Sequence, residues 1–436
     1  MSTVFQTQQL AALNASNGWL TAINEAGKAA FAEAQWPSRK TEAWKYCSLK
    51  ALADHAFDAA ATASTTAEQL AEITQIAGLD AYQLVLVNGQ LQAELSSAMA
   101  LSQVSLFSGA DAEQQTLIAD RLQQARLQPG HHLFNDLNDA ALADGVLVQI
   151  GKNSRLDKPL QLVSISTGDN HVVNSRVIVV LETGAELTLI EQFASLANDS
   201  SFTNNQTEVL VGDNARFNHY RLNLMESDAR FIGTTLVDLQ RDANYDSFHL
   251  GLGSVLTRND LIVNHNVGGS HAEIAGVYVP KDSQLVDFHT DIEHRVAHCT
   301  SNEVFRGIIN DQAKAVFNGR IHIHKDAQKT LAELSNKNLL LTNKAEINTK
   351  PELEIYADDV KCAHGATVAQ LDNKARFYLQ SRGIGEQEAQ VMLSFGFINE
   401  LLDGLKVEAI GDWLRPVLAH RFGRDQVFSA EQTGDL

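Results

Sequence analysis

The chain has 436 residues, 44% of them hydrophobic and 20% charged, which is enough to bury a large core in two or three domains. Its formal charge of −19 argues against nucleic acid or an anionic membrane as a partner, because both call for a basic face, and no segment approaches the roughly 20 apolar residues of a membrane-spanning helix. Cys47, Cys299 and Cys362 are widely scattered, and Met1 to Leu20 lacks a basic start followed by an apolar run. The expected setting is therefore a reducing cytoplasm, with no disulfide framework and no secretory leader.

The first 140 residues read as an N-terminal α/β domain that is largely helical. Thr7 to about Gln35 is rich in Ala, Leu and Gln and predicts one or two helices, ended before Trp36-Pro37 because proline disfavours helix in the residue preceding it. Glu42, Trp44 and Tyr46 alternate briefly, and the Ala/Thr-rich stretch from Ala59 to Ala67 reads as a surface linker. Ala81 to Val87 predicts a strand closed by Asn88-Gly89, a favoured hairpin dipeptide, and Asp111 to Leu127 a helix.

From residue 141 to 365 the composition turns to Val, Ile, Leu and Thr bounded by Gly, Asn and Asp, which is strand composition. A repeat runs through it. Thr207, Thr235, Val263, Ile292 and Ile321 differ by 28, 28, 29 and 29, and Val209, Val237, His265, His294 and Ile323 keep the same steps. Leu187, Phe217, Tyr245 and Ile274, and likewise Ile190, Tyr220, Phe248 and Val277, form parallel tracks. Alternation nested in a period of about 29 is what stacked coils require, since each coil buries its apolar face only against its neighbours. The expected fold is mainly β: a right-handed parallel β-helix-like solenoid core of about seven coils, flanked by the N-terminal domain and a C-terminal helical domain. A large β-sandwich is the alternative, less consistent with so constant a period.

Residues 366 to 436 predict three helical segments. Helical character is expected from Thr367 to Arg382, with Asp372 as N-cap of Asn373 to Arg382 and Gly383 as its end. Glu386 to Leu402 would bury a stripe of Ala389, Met392, Leu393, Phe397 and Leu401, and Val407 to Phe422 would break near Pro416. Such helices could cap the strand edges at the end of the solenoid, dock another protein, or do both.

Nucleotide-binding and hydrolase motifs are missing. Gly145 to Asn153 has glycines one residue too far apart for a phosphate loop, and Asn153 stands where Ser or Thr is needed. There is no G-x-S-x-G and no H-E-x-x-H. Of the many core histidines, His265 and His294 occupy equivalent places in adjacent coils, where their rings could stack or bridge a metal; the bland reading, satisfied core or surface histidines, is the commoner one. His294 and His298 have helical zinc-site spacing but lie in strand-like sequence, too far apart to converge. Near the end of the core, Cys362 and His364 stand two apart, so on a strand they share a face about 6.5 Å apart. A thiolate beside an imidazole suits iron, zinc or copper, although a lone cysteine usually just packs.

The stretch from Cys362 to Asp372, CAHGATVAQLD, followed by FYLQSRGI from Phe377 to Ile384, resembles the C-terminal signature of the SufD proteins of the SUF iron–sulfur cluster assembly system. PSRKTEAWKYCSL from Pro37 to Leu49 and FNDLNDAALADGVLVQI from Phe134 to Ile150 are similar to other parts of that family. The resemblance implies a non-enzymatic scaffold subunit of a SufBCD complex. Its β-helical core would pair with a SufB-like paralogue, a transient iron–sulfur cluster would form at the shared interface, and its C-terminal domain would bind a SufC-like ABC ATPase. On the same ground His364 is the candidate cluster ligand, at a metal site shared with the partner, and Cys362 the candidate for interface assembly and a further ligand. Tyr378, Arg382 and Gly383 lie beside the ATPase-docking region. A flavin is implied only for the complex, and no residue of this sequence marks a site for it. A symmetric homodimer through the same strand edge is compatible with the sequence when the paralogue is absent. The alternative from another class is a β-helix polysaccharide lyase or hydrolase, which would need paired carboxylates or a Ca²⁺ site in a long groove; architecture alone suggests it.

Overall fold

A computed structural model describes residues 3–13, 18–59, 66–196, 199–225 and 227–422, so most of the expected linker after Ala59 lies outside the described residues. The N-terminal region contains α1 (Val4–Ala12), α2 (Thr21–Glu33), α3 (Lys50–Ala53), β1 (Asp58–Ala59), α4 (Ala67–Thr74), β2 (Tyr82–Val87), β3 (Gln90–Leu91), β4 (Val104–Leu106), α5 (Ala112–Arg126) and α6 (Leu133–Ala140). The β2–β3 hairpin turns through Asn88 and Gly89, both at positive φ (50° and 77°), as the tight two-residue turn demands. Helix α5 begins at a reciprocal cap: Asp111 accepts from the Gln114 backbone N–H, and the Gln114 side chain accepts from that of Asp111. The alternation at Glu42, Trp44 and Tyr46 is not a strand. Glu42 to Trp44 form a 3₁₀ turn that lays the Trp44 ring on the Arg258 guanidinium, 3.8 Å from ring centre to Cζ, a cation–π contact that outweighs local propensity.

Sixteen strands follow: β5 (Val146–Ile150), β6 (Leu160–Ser166), β7 (His171–Leu181), β8 (Glu186–Ser195), β9 (Phe202–Val211), β10 (Arg216–Leu224), β11 (Arg230–Leu239), β12 (Asn244–Gly251), β13 (Leu256–His265), β14 (His271–Tyr278), β15 (Leu285–His294), β16 (Thr300–Ile309), β17 (Lys314–Ile323), β18 (Leu331–Leu340), β19 (Glu346–Ile355) and β20 (Lys361–Gln370). Odd-numbered strands from β5 to β19 stack in parallel as one sheet and even-numbered strands from β6 to β20 as the other. The result is a flattened solenoid of about eight turns, one more than the period suggested. The N-terminal region enters both sheets, with β2 beside β6 and β4 beside β5.

The register bears out most of the repeat and corrects one step. Thr207 lies opposite Thr235, and Val263, Ile292 and Ile321 follow one another. Between the two groups, however, Thr235 faces Leu261 and Val237 faces Val263. The same two-residue slip occurs in the other sheet, where Phe248 faces Ala275 rather than Val277. A slip of two keeps every side chain on its own face of the sheet, so alternation could not reveal it. In each of the first seven coils one residue has positive φ where the chain passes from an odd to an even strand: Asn153, Gly184, Asn214, Asp242, Gly269, His298 and Lys329. Asn, Asp and Gly tolerate that conformation best. At Gly269 a Cβ would also sit 1.9 Å from Asp242 Oδ1, so any other residue would force the Asp242 side chain to move. The backbone N–H of each of these residues bonds a carbonyl of the next coil, as Asn214 does to Arg241 at 2.7 Å.

Much of the interior between the sheets is apolar, with Val179, Leu189, Val209, Phe217, Val237, Phe288 and Ile321 among its buried residues. The outer face of the odd sheet is covered by the N-terminal region through Phe5, Phe31, Trp44, Phe57 and Phe134. Helices α7 (Asn373–Ser381), α8 (Glu386–Asp403) and α9 (Glu408–Arg421) follow β20. Strand β20 runs on to Gln370, so the expected helix does not start at Thr367; Thr367 and Val368 are β-branched and pair with Lys337 and Asn338. Helix α9 continues through Pro416 instead of breaking there. Helix α8 buries Ala389, Val391, Phe395, Ile398 and Leu402, a stripe rotated from the expected one, because its sequence is apolar on nearly every side and the sheet selects the face. Helices α8 and α9 lie against the outer face of the even sheet, on Tyr220, Phe248, Val277 and Ile308. They do not cap the end of the solenoid.

Candidate functional site

The two ends of the solenoid are built differently. At the start, β3 and β4 pair antiparallel with β2 and β5, and the 3₁₀ turn from Ser97 to Ala100 places Ala98, fully buried, against the interior. At the other end β19 and β20 are the last strands of their sheets. Nearly every residue of β20 is exposed and every residue of β19 at least partly so.

Cys362 and His364 sit on β20 opposite Ala332 and Leu334 of β18, both buried interior residues. The shared face predicted from their spacing is thus the interior face of the last coil, looking out of the open end. Cys362 is half-buried, and burial raises its thiol pKa; the thiolate that binds a metal must therefore be drawn out by the metal itself or by a nearby positive charge. His364 is exposed, and no hydrogen bond or ion pair engages its ring among the described residues. Along the same edges lie the exposed apolar residues Ile355, Tyr356 and Val368.

Tyr378 is 54% exposed, and the Arg382 guanidinium stacks on its ring at 3.6 Å. Gly383, at φ 89°, ends α7 with its N–H bonded to the Gln380 carbonyl, as expected of a glycine closing a helix. Phe377 beside them is 71% exposed. These residues form an apolar knob on α7, a helix that buries none of its own side chains.

Other candidates resolve into structure. The His265 and His294 rings do stack, 4.3 Å apart and 7° from parallel. Each is buried against a serine hydroxyl, and burial holds both well below the usual imidazole pKa. His298 is exposed at a corner while His294 is buried, so that pair does not converge. Cys47 is buried beside Arg258 and Asp287.

Two polar centres escaped the sequence reading. Inside the solenoid Glu191 accepts from Arg221 at 2.6 Å, His219 at 2.7 Å and Thr207 at 2.7 Å. Burial would raise its pKa, but the Arg221 charge and these hydrogen bonds hold it down at about 2. Further along the interior Glu303 has no such partner, and burial pushes it up to about 7. The second centre is a 580 Å³ cleft between the N-terminal region and the odd sheet, lined by Trp44, His132, Arg258, Asp260 and Arg320. Its Asp260 is clamped by Arg258, which outweighs burial and keeps the carboxyl well below its usual range. A carboxylate so held cannot serve as the acid of a glycosidase pair.

What the fold and this edge define is a parallel β-solenoid with one sealed end and one open end, the open end presenting a cysteine and a histidine side by side. The profile described as SUF system FeS cluster assembly, SufBD core domain, matches residues 164–397, and that of the SufBD protein N-terminal region matches residues 2–162. Over 378 residues the chain is 32% identical to the iron–sulfur cluster assembly protein SufD of Escherichia coli, covering 86% of each. It is 30% identical over 398 residues to an iron–sulfur cluster assembly SufBD family protein of Synechocystis, covering 88% of this chain and 87% of the relative. The chain belongs to the SufBD family of iron–sulfur cluster assembly proteins.

Proposed function

We propose that the chain is a non-enzymatic scaffold subunit on which an iron–sulfur cluster is built, and that its open solenoid end is where it pairs with a SufB-like paralogue. One observation carries this reading: Cys362 and His364 stand together on the interior face of a terminal strand that is paired along one edge only. A protein-bound cluster takes four ligands, mostly thiolates with occasional histidine, and these two residues supply at most half. A partner strand added to β19 or β20 would continue the solenoid, satisfy the free backbone groups and bring the remaining ligands. In this arrangement the cluster is cargo: His364 ligates it and Cys362 supports its assembly at the interface.

The C-terminal helices supply the second contact, to a SufC-like ABC ATPase, through the exposed Phe377 and Tyr378 with Arg382 and Gly383 at the end of α7. ATP hydrolysis belongs to that partner, in keeping with a sequence that lacks a phosphate loop. The cytoplasm is the compartment that suits this chemistry, and no helix among the described residues is long and apolar enough to cross a membrane.

The test is co-purification with the paralogue and the ATPase, followed by anaerobic iron and sulfide analysis of the wild type and of His364→Ala. A three-protein complex that gains iron and sulfide only with His364 present is the expected result. Equal cluster yield in His364→Ala, or no complex at all, would overturn the proposal.

A further inference from the structure

Next to the open end, on the outer face of the odd sheet, Glu293 of β15 lies directly opposite His322 of β17. His324 follows two residues later, so both rings point to the same side as the carboxylate. His322 Nδ1 is 3.0 Å from Glu293 Oε2 and His324 Nε2 is 2.5 Å from the same oxygen. The rings are 4.1 Å apart at their centres, and one ligand atom from each of the three residues lies within 4.8 Å of the others.

We propose that Glu293, His322 and His324 form a binding site for a divalent first-row transition ion of the Zn²⁺ or Fe²⁺ class, separate from the cluster site on β20. Two imidazoles and one carboxylate are the donor set such ions take, whereas Ca²⁺ and Mg²⁺ call for oxygen alone. Ligands at about 2.0–2.2 Å from a tetrahedral or octahedral ion stand roughly 3 Å apart, which is close to the present spacing of His322 and Glu293. Charge points the same way. Arg320 Nη1 contacts Asp291 at 2.6 Å and Glu293 at 2.7 Å, and its Nε contacts Glu354 at 2.9 Å. Three carboxylates thus share one guanidinium, and a divalent cation would balance the remainder.

The supporting shell is also in place. Arg320 holds Glu293 Oε1, which leaves Oε2 for the ion and fixes the carboxylate plane, the usual task of an outer-shell partner. The Glu293 side chain is only 4% exposed while that of His324 is 40% exposed, so the site is rooted in the sheet and open on one side, where water can fill the remaining coordination positions. The Tyr356 ring rests edge-on to His322, with centres 5.5 Å apart, at the beginning of the turn that leads from β19 to Cys362. An ion here would brace β15 against β17 beside the strand edge that awaits a partner.

The test uses the full chain alone, stripped of metal, titrated with Co²⁺ by its visible absorption and with Zn²⁺ by calorimetry. One equivalent is expected to bind to the wild type. His324→Ala should weaken binding by at least about 10-fold, the scale reached even when outer-shell partners are lost. Because that ring is substantially exposed, thermal unfolding should show the variant folded, and Glu293→Gln is the second variant at the buried ligand. His364→Ala should bind as the wild type does. Failure of the wild type to take up one equivalent overturns the proposal, as does binding that survives His324→Ala or that is lost in His364→Ala. None of these readouts depends on a cluster or on a partner protein, so the scaffold reading stands or falls by its own experiment.

Discussion

The sealed and open ends of the solenoid are made from the same repeating coil, yet they use their interior faces in opposite ways. At the sealed end Leu84 and Leu86 of β2 and Ala98 of the 3₁₀ turn fill the interior and are almost wholly buried. At the open end the equivalent inward positions carry Cys362, His364 and Val368, which are left partly or fully exposed for lack of another coil. A solenoid must cover its terminal strands or offer them to a partner. Because α8 and α9 pack on the side of the even sheet, the described residues cover only the first of the two ends.

The contrast can be broken most forcefully from within. Glu191→Ala leaves Arg221 and His219 buried without their shared acceptor, and should destabilise the chain by about 3–5 kcal/mol, measured by urea unfolding. Leu84→Ala at the sealed end should cost about 2–5 kcal/mol. Ile355→Ala at the open end, where 42% of the residue is already exposed, should cost less than about 1 kcal/mol; equal losses at the two ends would show that the last coil is as well packed as the first.

A pH titration sharpens the picture of the interior between them. The folded pKa of Glu303, about 7, is above its ordinary value of 4.5. Over that window the native state retains a proton that the unfolded chain has released, so stability is greatest at the low end and falls as pH rises through about 7. The decline is at most about 1.4 kcal/mol per pH unit for one such group. Glu303→Gln should flatten it and stabilise the protein at pH above 7; an unchanged slope would place the titration elsewhere. The smallest effect on stability is expected at the open edge itself. Val368→Lys should unfold within about 0.5 kcal/mol of the wild type and yet abolish the proposed pairing with a SufB-like paralogue, since an edge lysine opposes strand addition. Gel filtration with light scattering reads that outcome.

The site was legible to different depths. Cys362 and His364 stood out by spacing and by resemblance, and their common face needed only the alternation of a strand. Glu293 was overlooked although the signal was present: it precedes His322 by 29 residues, one coil of the repeat. The Glu191–Arg221 pair lies 30 residues apart in neighbouring strands, and nothing in the alternation marks an inward polar residue that finds its partner one coil on.

By itself the sequence determined the coil, through its period, its alternation and its Asn, Asp and Gly corners, and it determined the family through the long C-terminal motif. These are local or periodic properties, fixed by backbone sterics and by which face is apolar. Only the tertiary structure decided the two-residue slip in register, the face that α8 buries, the placement of the C-terminal helices beside the solenoid instead of across its end, and the meeting of Glu293 with His322 and His324. Each of those depends on which of several equally apolar or equally polar surfaces finds its complement across the fold, a choice that periodicity leaves degenerate and packing resolves.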